Sequence, residues 1–139
     1  MNMYPLDTSP DGLEGRRLAF SDPENYVLKP QRDGGGHNIY KADIPIFLKS
    51  IPEDEYKSYT LMELIPTISH KNSIIREGKV MEGELISELG IYGTILWDSS
   101  CGKVEMNQYA GWLLRSKFSG VDEGGVAAGF GCLDSVCLV

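Results

Sequence analysis

Two glycine-rich segments, each beside a lysine, are the parts of this chain best equipped for chemistry. Lys29 stands just before Gln31-Arg-Asp-Gly-Gly-Gly-His37, and Arg115-Ser-Lys117 stands just before Ser119-Gly-Val-Asp-Glu-Gly-Gly125. The phosphates of a nucleotide need bare backbone N–H donors together with point positive charges, and each segment brings both close in sequence. Consecutive glycines permit positive φ and leave those N–H groups unshielded. Spacing excludes the commonest phosphate loops. In Lys29 to Gly36 the lysine precedes the glycines rather than following them beside Ser or Thr, so there is no Walker A loop. Gly34-Gly-Gly36 does not match GxGxxG, and by itself a glycine triplet is a surface turn.

The neighbouring charged residues each admit two readings. Asp33, directly before the triplet, suits either a turn cap or a divalent ion shared between carboxylate and phosphate oxygens. Glu63 and Glu88 interrupt apolar runs, where an unpaired buried carboxylate costs several kcal/mol, so they are either on a wet face or paired. Arg115 and Lys117 are two apart, so in a strand they share one face, as a solvated basic pair or as anion ligands. Cys101, Cys132 and Cys137 form an odd set without CxxC spacing, and only His37 and His70 could join them, which argues against zinc. They read as reduced and mostly buried thiols.

These residues must be positioned by elements that the chain order outlines. The stretch to Asn25 reads as a connector with a short helical piece, Leu13 to Phe20. Tyr26-Val-Leu-Lys-Pro30 is a short strand ended by proline. Ile44, Phe47, Leu48 and Ile51 follow helical spacing, with Pro45 near the start. Glu53 to Glu55 is a solvated turn before a half-buried strand, Tyr59 to Ile65, closed by Pro66. Leu85 to Leu89 and Ile91 to Trp97 are two further runs, with Gly90 and Gly93 marking a bulge or a close backbone approach. Ser99 to Lys103 is a hairpin turn, and Val104 to Lys117 fits strand or helix equally by periodicity. A mixed sheet follows from this order, and no repeat is visible.

Composition bounds the rest. At 139 residues the chain sets an expectation of one core and is short for an enzyme holding a nucleotide and two further substrates. With 42% hydrophobic and 24% charged residues it is an ordinary globular composition. A formal net charge of -7 disfavours nucleic acid and anionic membranes as partners while leaving room for a local basic pocket. Met1 to Pro10 lacks the basic and apolar regions of a secretory signal, and no apolar run approaches the roughly 18 residues of a membrane span, so a cytoplasmic location is expected.

Read together, Tyr26 to Tyr40, Leu61-Met-Glu-Leu-Ile65, Ile86-Ser-Glu-Leu-Gly-Ile-Tyr-Gly93, Leu113-Leu-Arg-Ser-Lys117 and Glu123-Gly-Gly-Val-Ala-Ala-Gly129 resemble eukaryotic glutathione synthetase. The blocks keep the family's order and nearly its spacing from about Tyr4 to Val139, with details closest to the fungal branch. What they resemble is only the C-terminal third of that family.

The resemblance implies an α/β (α+β) fold of ATP-grasp type, with a mixed or antiparallel sheet, flanking helices and two glycine-rich loops. It implies residues 1–25 as a connector continuing from an upstream region, and 26–139 as the C-terminal ATP-grasp portion. The implied activity is ATP-dependent ligation of γ-glutamylcysteine with glycine to give glutathione, ADP and phosphate, with magnesium. By the same resemblance Lys29 and Lys117 hold phosphates, the Gly34, Gly35 and Gly36 loop closes over them, and Asn38 and Tyr40 complete the ATP contacts. Met62, Glu63, Leu64 and Ile65 receive adenine through backbone groups, Glu88 binds the nucleoside, and Glu123 fills an acidic position in the second loop. Arg115 holds a substrate carboxylate with its forked donors, and Val126 and Ala127 contact substrate in the alanine-rich lid. Asp33 stands where the family has a magnesium-binding glutamate, shorter by roughly 1.5 Å of side chain, so direct ligation, ligation through water and weakened binding all stay open. The Val-Ala-Ala form fits glycine rather than β-alanine as acceptor.

Family members are homodimers. Another ATP-binding lysine, two further magnesium ligands and most of the γ-glutamylcysteine site belong to family sequence upstream of this portion. The chain alone is therefore expected to have little or no ligase activity, as one half of a split enzyme or an inactive nucleotide-binding fragment. A different ATP-grasp ligase would share the glycine loops but not the Ser87-Glu-Leu-Gly90 and Leu113 to Lys117 blocks.

Overall fold

In the computed structural model, which describes residues 1–32, 36–127 and 129–136, the chain divides into two units, Met1–Thr67 and Ile68–Val139. The expected single core holds among the described residues: the one hydrophobic core cluster lies within unit 1. Asp33, Gly34, Gly35, Ala128 and Cys137 lie outside the described residues.

Unit 1 is a four-stranded antiparallel sheet with two helices. Its strands are β1 (Met3–Pro5), β2 (Tyr26–Pro30), β3 (Ile39–Tyr40) and β4 (Tyr59–Glu63), in the order β1-β4-β2-β3. The helices are α1 (Pro10–Ser21) and α2 (Asp43–Ser50). Strand β2 is the predicted one to the residue, and α2 the predicted amphipathic helix, burying Ile44 and Leu48. Leu6, Leu28, Ile44, Leu48 and Leu61 are wholly excluded from solvent and join Ala19, Tyr26 and Tyr56 in one core cluster. Tyr56 closes it from the 3-10 turn Glu53–Ser58, donating its hydroxyl to the Leu48 carbonyl at 2.9 Å. That bond satisfies one of the carbonyls orphaned at the end of α2.

The stretch to Asn25, expected as a connector, is integral to this core. Ser9 caps α1 by accepting from the Gly12 N–H at 3.1 Å, and Pro10 occupies the first turn where its missing N–H costs nothing. A Cβ on Gly15 would sit 2.6 Å from that of Tyr4, so glycine is what lets α1 lie against β1. The cap and proline are local signs of a helix start, but Leu6 and Ala19 are buried in a cluster with Leu28, Ile44, Leu48 and Leu61, which lie farther along the chain.

Unit 2 is an antiparallel meander of β5 (His70–Arg76), β6 (Lys79–Trp97), β7 (Val104–Phe118) and β8 (Cys132–Asp134) in sequence order. Every pairing in both sheets is antiparallel, which corrects the mixed sheet inferred from element order. The two runs around Gly90 are a single strand, and the segment of ambiguous periodicity is its partner β7. The ladder shifts register between Tyr92 and Gly93, so a bulge is present, while a Cβ at Gly90 would meet the Tyr92 ring at about 3 Å rather than another backbone. The expected turn closes the hairpin through Asp98 N–H to the Lys103 carbonyl at 2.8 Å. Cys101 is exposed there, against the expectation of buried thiols, because a hairpin tip has nothing to pack on; Cys132 is half-buried. Among the described residues, no helix is long and apolar enough to cross a membrane.

Candidate functional site

Unit 2 brings Glu88, Arg115 and Lys117 onto one face. The β6–β7 register sets Ile86 opposite Lys117 and Glu88 opposite Arg115, and side chains two apart on a strand point the same way. Arg115 Nη2 donates to Glu88 Oε1 at 2.6 Å. This hydrogen bond raises the Arg115 pKa above its usual value, with the Glu88 charge second and burial opposing, so the guanidinium stays cationic at any working pH. With Arg115 39% and Glu88 67% exposed, the pair is a solvated ion pair whose net worth is about 0–1 kcal/mol. A competing carboxylate can therefore displace Glu88 at little cost.

Lys117 folds over the second glycine loop. Its Nζ donates to the Val121 carbonyl at 2.6 Å and the Asp122 carbonyl at 2.8 Å. Farther along, Gly129 N–H bonds Val126 O and Phe130 N–H bonds Gly125 O, both at 3.0 Å, so Val126 and Ala127 lie in a tight turn. Glu123 is half-buried in the loop that precedes it.

Ser116, between the two cations, points to the opposite face and is 1% exposed. Its hydroxyl donates to Asp134 Oδ2 at 2.7 Å and lies 2.8 Å from Ser87 Oγ. A hydroxyl has one proton, so Ser87 is the donor to Ser116. This chain ties β6, β7 and β8 together under the cationic face. Sequence reasoning missed it because Ser87, Ser116 and Asp134 are far apart in the chain; the alternation Arg-Ser-Lys, with a small polar residue at the inward position, was the available sign.

In unit 1, Lys29 lies on β2 opposite Thr60, half-buried, with its neighbour Leu28 turned into the core. Gly36 takes φ 93°, a conformation open to glycine at little cost. Asn38 Nδ2 donates to the Tyr40 hydroxyl at 3.3 Å, and both line a cavity of about 480 Å³ with Asp43, Ile46, Phe47 and Ser50. Met62 and Glu63 end β4, and Leu64 and Ile65 run past it. Glu63 N–H bonds the Asn2 carbonyl at 3.0 Å and Leu64 N–H the Asn25 carbonyl at 2.7 Å, and Met62 sits inside the sheet, paired to Met3 on one side and Val27 on the other, so of the four residues expected to read a base Ile65 alone lies outside these pairings. The Glu63 carboxylate accepts from the Asn2 N–H at 2.8 Å.

Asp33, Gly34 and Gly35 fall outside the described residues. Among the described residues no three His, Cys, Asp or Glu side chains gather as a metal site, so the described carboxylates do not by themselves fit a complete magnesium site.

An α+β fold with antiparallel sheets, its lysine-bearing strands next to glycine-rich stretches of sequence, agrees with the ATP-grasp class. Residues 1–138 match the family "Eukaryotic glutathione synthase, ATP binding domain", and the chain belongs to that family. It is 43% identical to the glutathione synthetase large chain of Schizosaccharomyces pombe, over 99% of this chain and 28% of that protein. It is 42% identical to the glutathione synthetase of Dictyostelium discoideum, over 98% of this chain and 28% of that one. The solved apo form of a glutathione synthetase-like effector from Globodera pallida superposes with a TM-score of 0.62 at 27% identity, covering 85% of this chain and 25% of that chain. The chain thus spans a little over a quarter of the length of the curated relatives it matches.

Proposed function

We propose that this chain supplies the nucleotide lid and the glycine-side loop of a glutathione synthetase, an ATP-dependent ligase that joins γ-glutamylcysteine to glycine and releases ADP and phosphate. The observation that carries the reading is the shared face of Glu88, Arg115 and Lys117 beside the second glycine loop. Arg115 exchanges Glu88 for a substrate carboxylate, and the forked guanidinium suits that exchange. Lys117 exchanges two loop carbonyls for phosphate oxygens, so nucleotide binding and loop rearrangement become one event. Within unit 1, Lys29, Gly34 to Gly36, Asn38 and Tyr40 are the candidates to hold phosphate. Of the segment Met62 to Ile65, the Ile65 N–H has no partner among the described residues and is the donor left to read the adenine edge. Glu88, released from Arg115, takes the nucleoside hydroxyls; Glu123, Val126 and Ala127 border the acceptor. Magnesium would arrive with the nucleotide and neutralise its phosphates, with Asp33 as this chain's ligand for it. A cytoplasmic, homodimeric enzyme is the setting this reading carries.

Because the chain spans 28% of its relatives' length, a second reading stands beside the first: a nucleotide-binding remnant without ligation. One pair of assays tests both. The purified chain, given ATP, magnesium, γ-glutamylcysteine and glycine, is expected to form no glutathione. A chimera in which this chain replaces the matching segment of the S. pombe protein is expected to form it, and to lose at least about 100-fold in kcat/KM on Arg115→Ala. A chimera that binds ATP without ligation supports the remnant; turnover by the isolated chain would refute the dependence on further polypeptide.

A further inference from the structure

The β6–β7 hairpin is bare over most of its length. Strand β5 pairs with β6 only as far as Leu85, and β8 pairs with β7 only over Leu114 to Ser116. From Ile86 to Trp97 and from Val104 to Leu113 each strand has the other as its sole partner among the described ladders. A two-stranded ribbon is marginal in water, and its two open edges present unpaired N–H and C=O groups.

The two faces of this ribbon differ in charge, while both expose apolar side chains, Tyr92, Leu96 and Met106 among them on the first. Glu88 and Arg115 mark the first. On the other, alternation collects Leu89, Ile91, Ile95 and Trp97 from β6, with Leu114, Trp112, Tyr109, Asn107 and Val104 opposite on β7. No charged residue stands at any of these positions. Yet Ile91 is 65% exposed, Tyr109 66% and Trp97 55%, where soluble surfaces seldom leave so continuous an apolar patch.

We propose that this apolar face is the docking surface for the part of the synthetase polypeptide that the relatives carry and this chain does not span. The inference rests on the reading above. Two relatives align over 98% and 99% of this chain, ribbon included, yet each is more than three times as long. The polypeptide that accompanies the ribbon in those proteins is therefore available to cover it. A second copy is the poorer occupant, since each chain carries a net charge of -7 and the uncharged face offers nothing to offset that repulsion. Covering this face fixes the ribbon's twist, and with it the cross-strand register that holds Glu88 against Arg115 on the other side.

Hydrogen exchange resolved by peptide tests this in the isolated chain and in the full-length chimera. Amides of 86–97 and 104–113 are expected to exchange at least about 100-fold more slowly in the chimera. Ile91→Glu with Trp112→Glu should abolish that gain, whereas Leu96→Glu with Met106→Glu, on the opposite face, should spare most of it. Equal exchange in both proteins overturns the proposal, and so does protection in the isolated chain that grows with its concentration, which would assign the face to a second copy. The wild-type comparison needs no variant to fold. Glutathione formation by the same chimera keeps the two readings apart: protection without product leaves docking standing and removes the ligase reading, while product with an unprotected ribbon does the reverse.

Discussion

Unit 1 and unit 2 are similar in length and both antiparallel, yet they bury apolar surface very differently. Unit 1 excludes Leu6, Leu28, Ile44, Leu48 and Leu61 completely from water, while among the described hydrophobic residues of unit 2 only Ile74 and Leu85 are buried. Unit 2 instead exposes Leu89, Ile91, Tyr92, Ile95, Leu96, Trp97, Tyr109 and Trp112. Helices explain the contrast: α1 and α2 cover the sheet of unit 1, and unit 2 has no helix among its described residues. A sheet face needs a second layer to make a core. Unit 1 contains its own, and unit 2 has to be given one.

The largest test of this contrast is a pair of core truncations. Leu61→Ala should destabilise unit 1 by about 2–5 kcal/mol, and Leu85→Ala in the isolated chain by less than half as much, because Leu85, though equally buried, stands outside the core cluster to which Leu61 belongs. Urea unfolding followed by hydrogen exchange separates the units; equal losses would erase the distinction. Next in size is Ser116→Ala, which leaves Asp134 without its buried donor and should cost about 1–3 kcal/mol within unit 2, with Ser116→Thr recovering part of it. An unchanged exchange rate in β7 and β8 would show that the Ser87–Ser116–Asp134 chain does not hold these strands. The smallest effect is one of pH. Hydrogen bonds from the Ser9 side chain and then its N–H hold the Asp7 carboxyl below the usual carboxylate range. A carboxyl depressed in the folded state stabilises at pH above its ordinary value, and that contribution is lost as pH falls through the folded value. Helicity of α1 should therefore decline in acid below about pH 4, and Asp7→Asn should flatten that decline; a helix indifferent to both would sink the assignment.

Unit 1 was also the more legible in the sequence. Tyr26 to Pro30 and the helix around Ile44 and Leu48 carry the period that burial on one side imposes, and proline ends the strand where a ladder donor is lost. Val104 to Lys117 did not declare itself, because a ribbon exposed on both faces is under no local pressure to alternate cleanly. His70 to Arg76, β5, was passed over for the same reason: of its seven residues only Ile74 is buried. For the site, spacing set Arg115 and Lys117 on one face only if their segment is a strand, which its periodicity left open and the β6–β7 ladder supplies. Their ties to Glu88 and to the Val121 and Asp122 carbonyls needed the register of the hairpin and the path of the loop, which no local pattern encodes.

The two irregularities in the β6–β7 ladder bear on how this hairpin can change length. Both lie at Tyr92/Gly93 or beyond, on the turn side of Glu88 and Arg115, and each absorbs one residue of β7, Ala110 and Glu105. Insertions or deletions near the Asp98 to Lys103 turn are thus taken up before they reach the cationic face. One residue gained between Gly90 and Ile86 has no such buffer, and would turn Glu88 onto the apolar side. Sequence length is free to drift at the tip of this hairpin and is held fixed at its base.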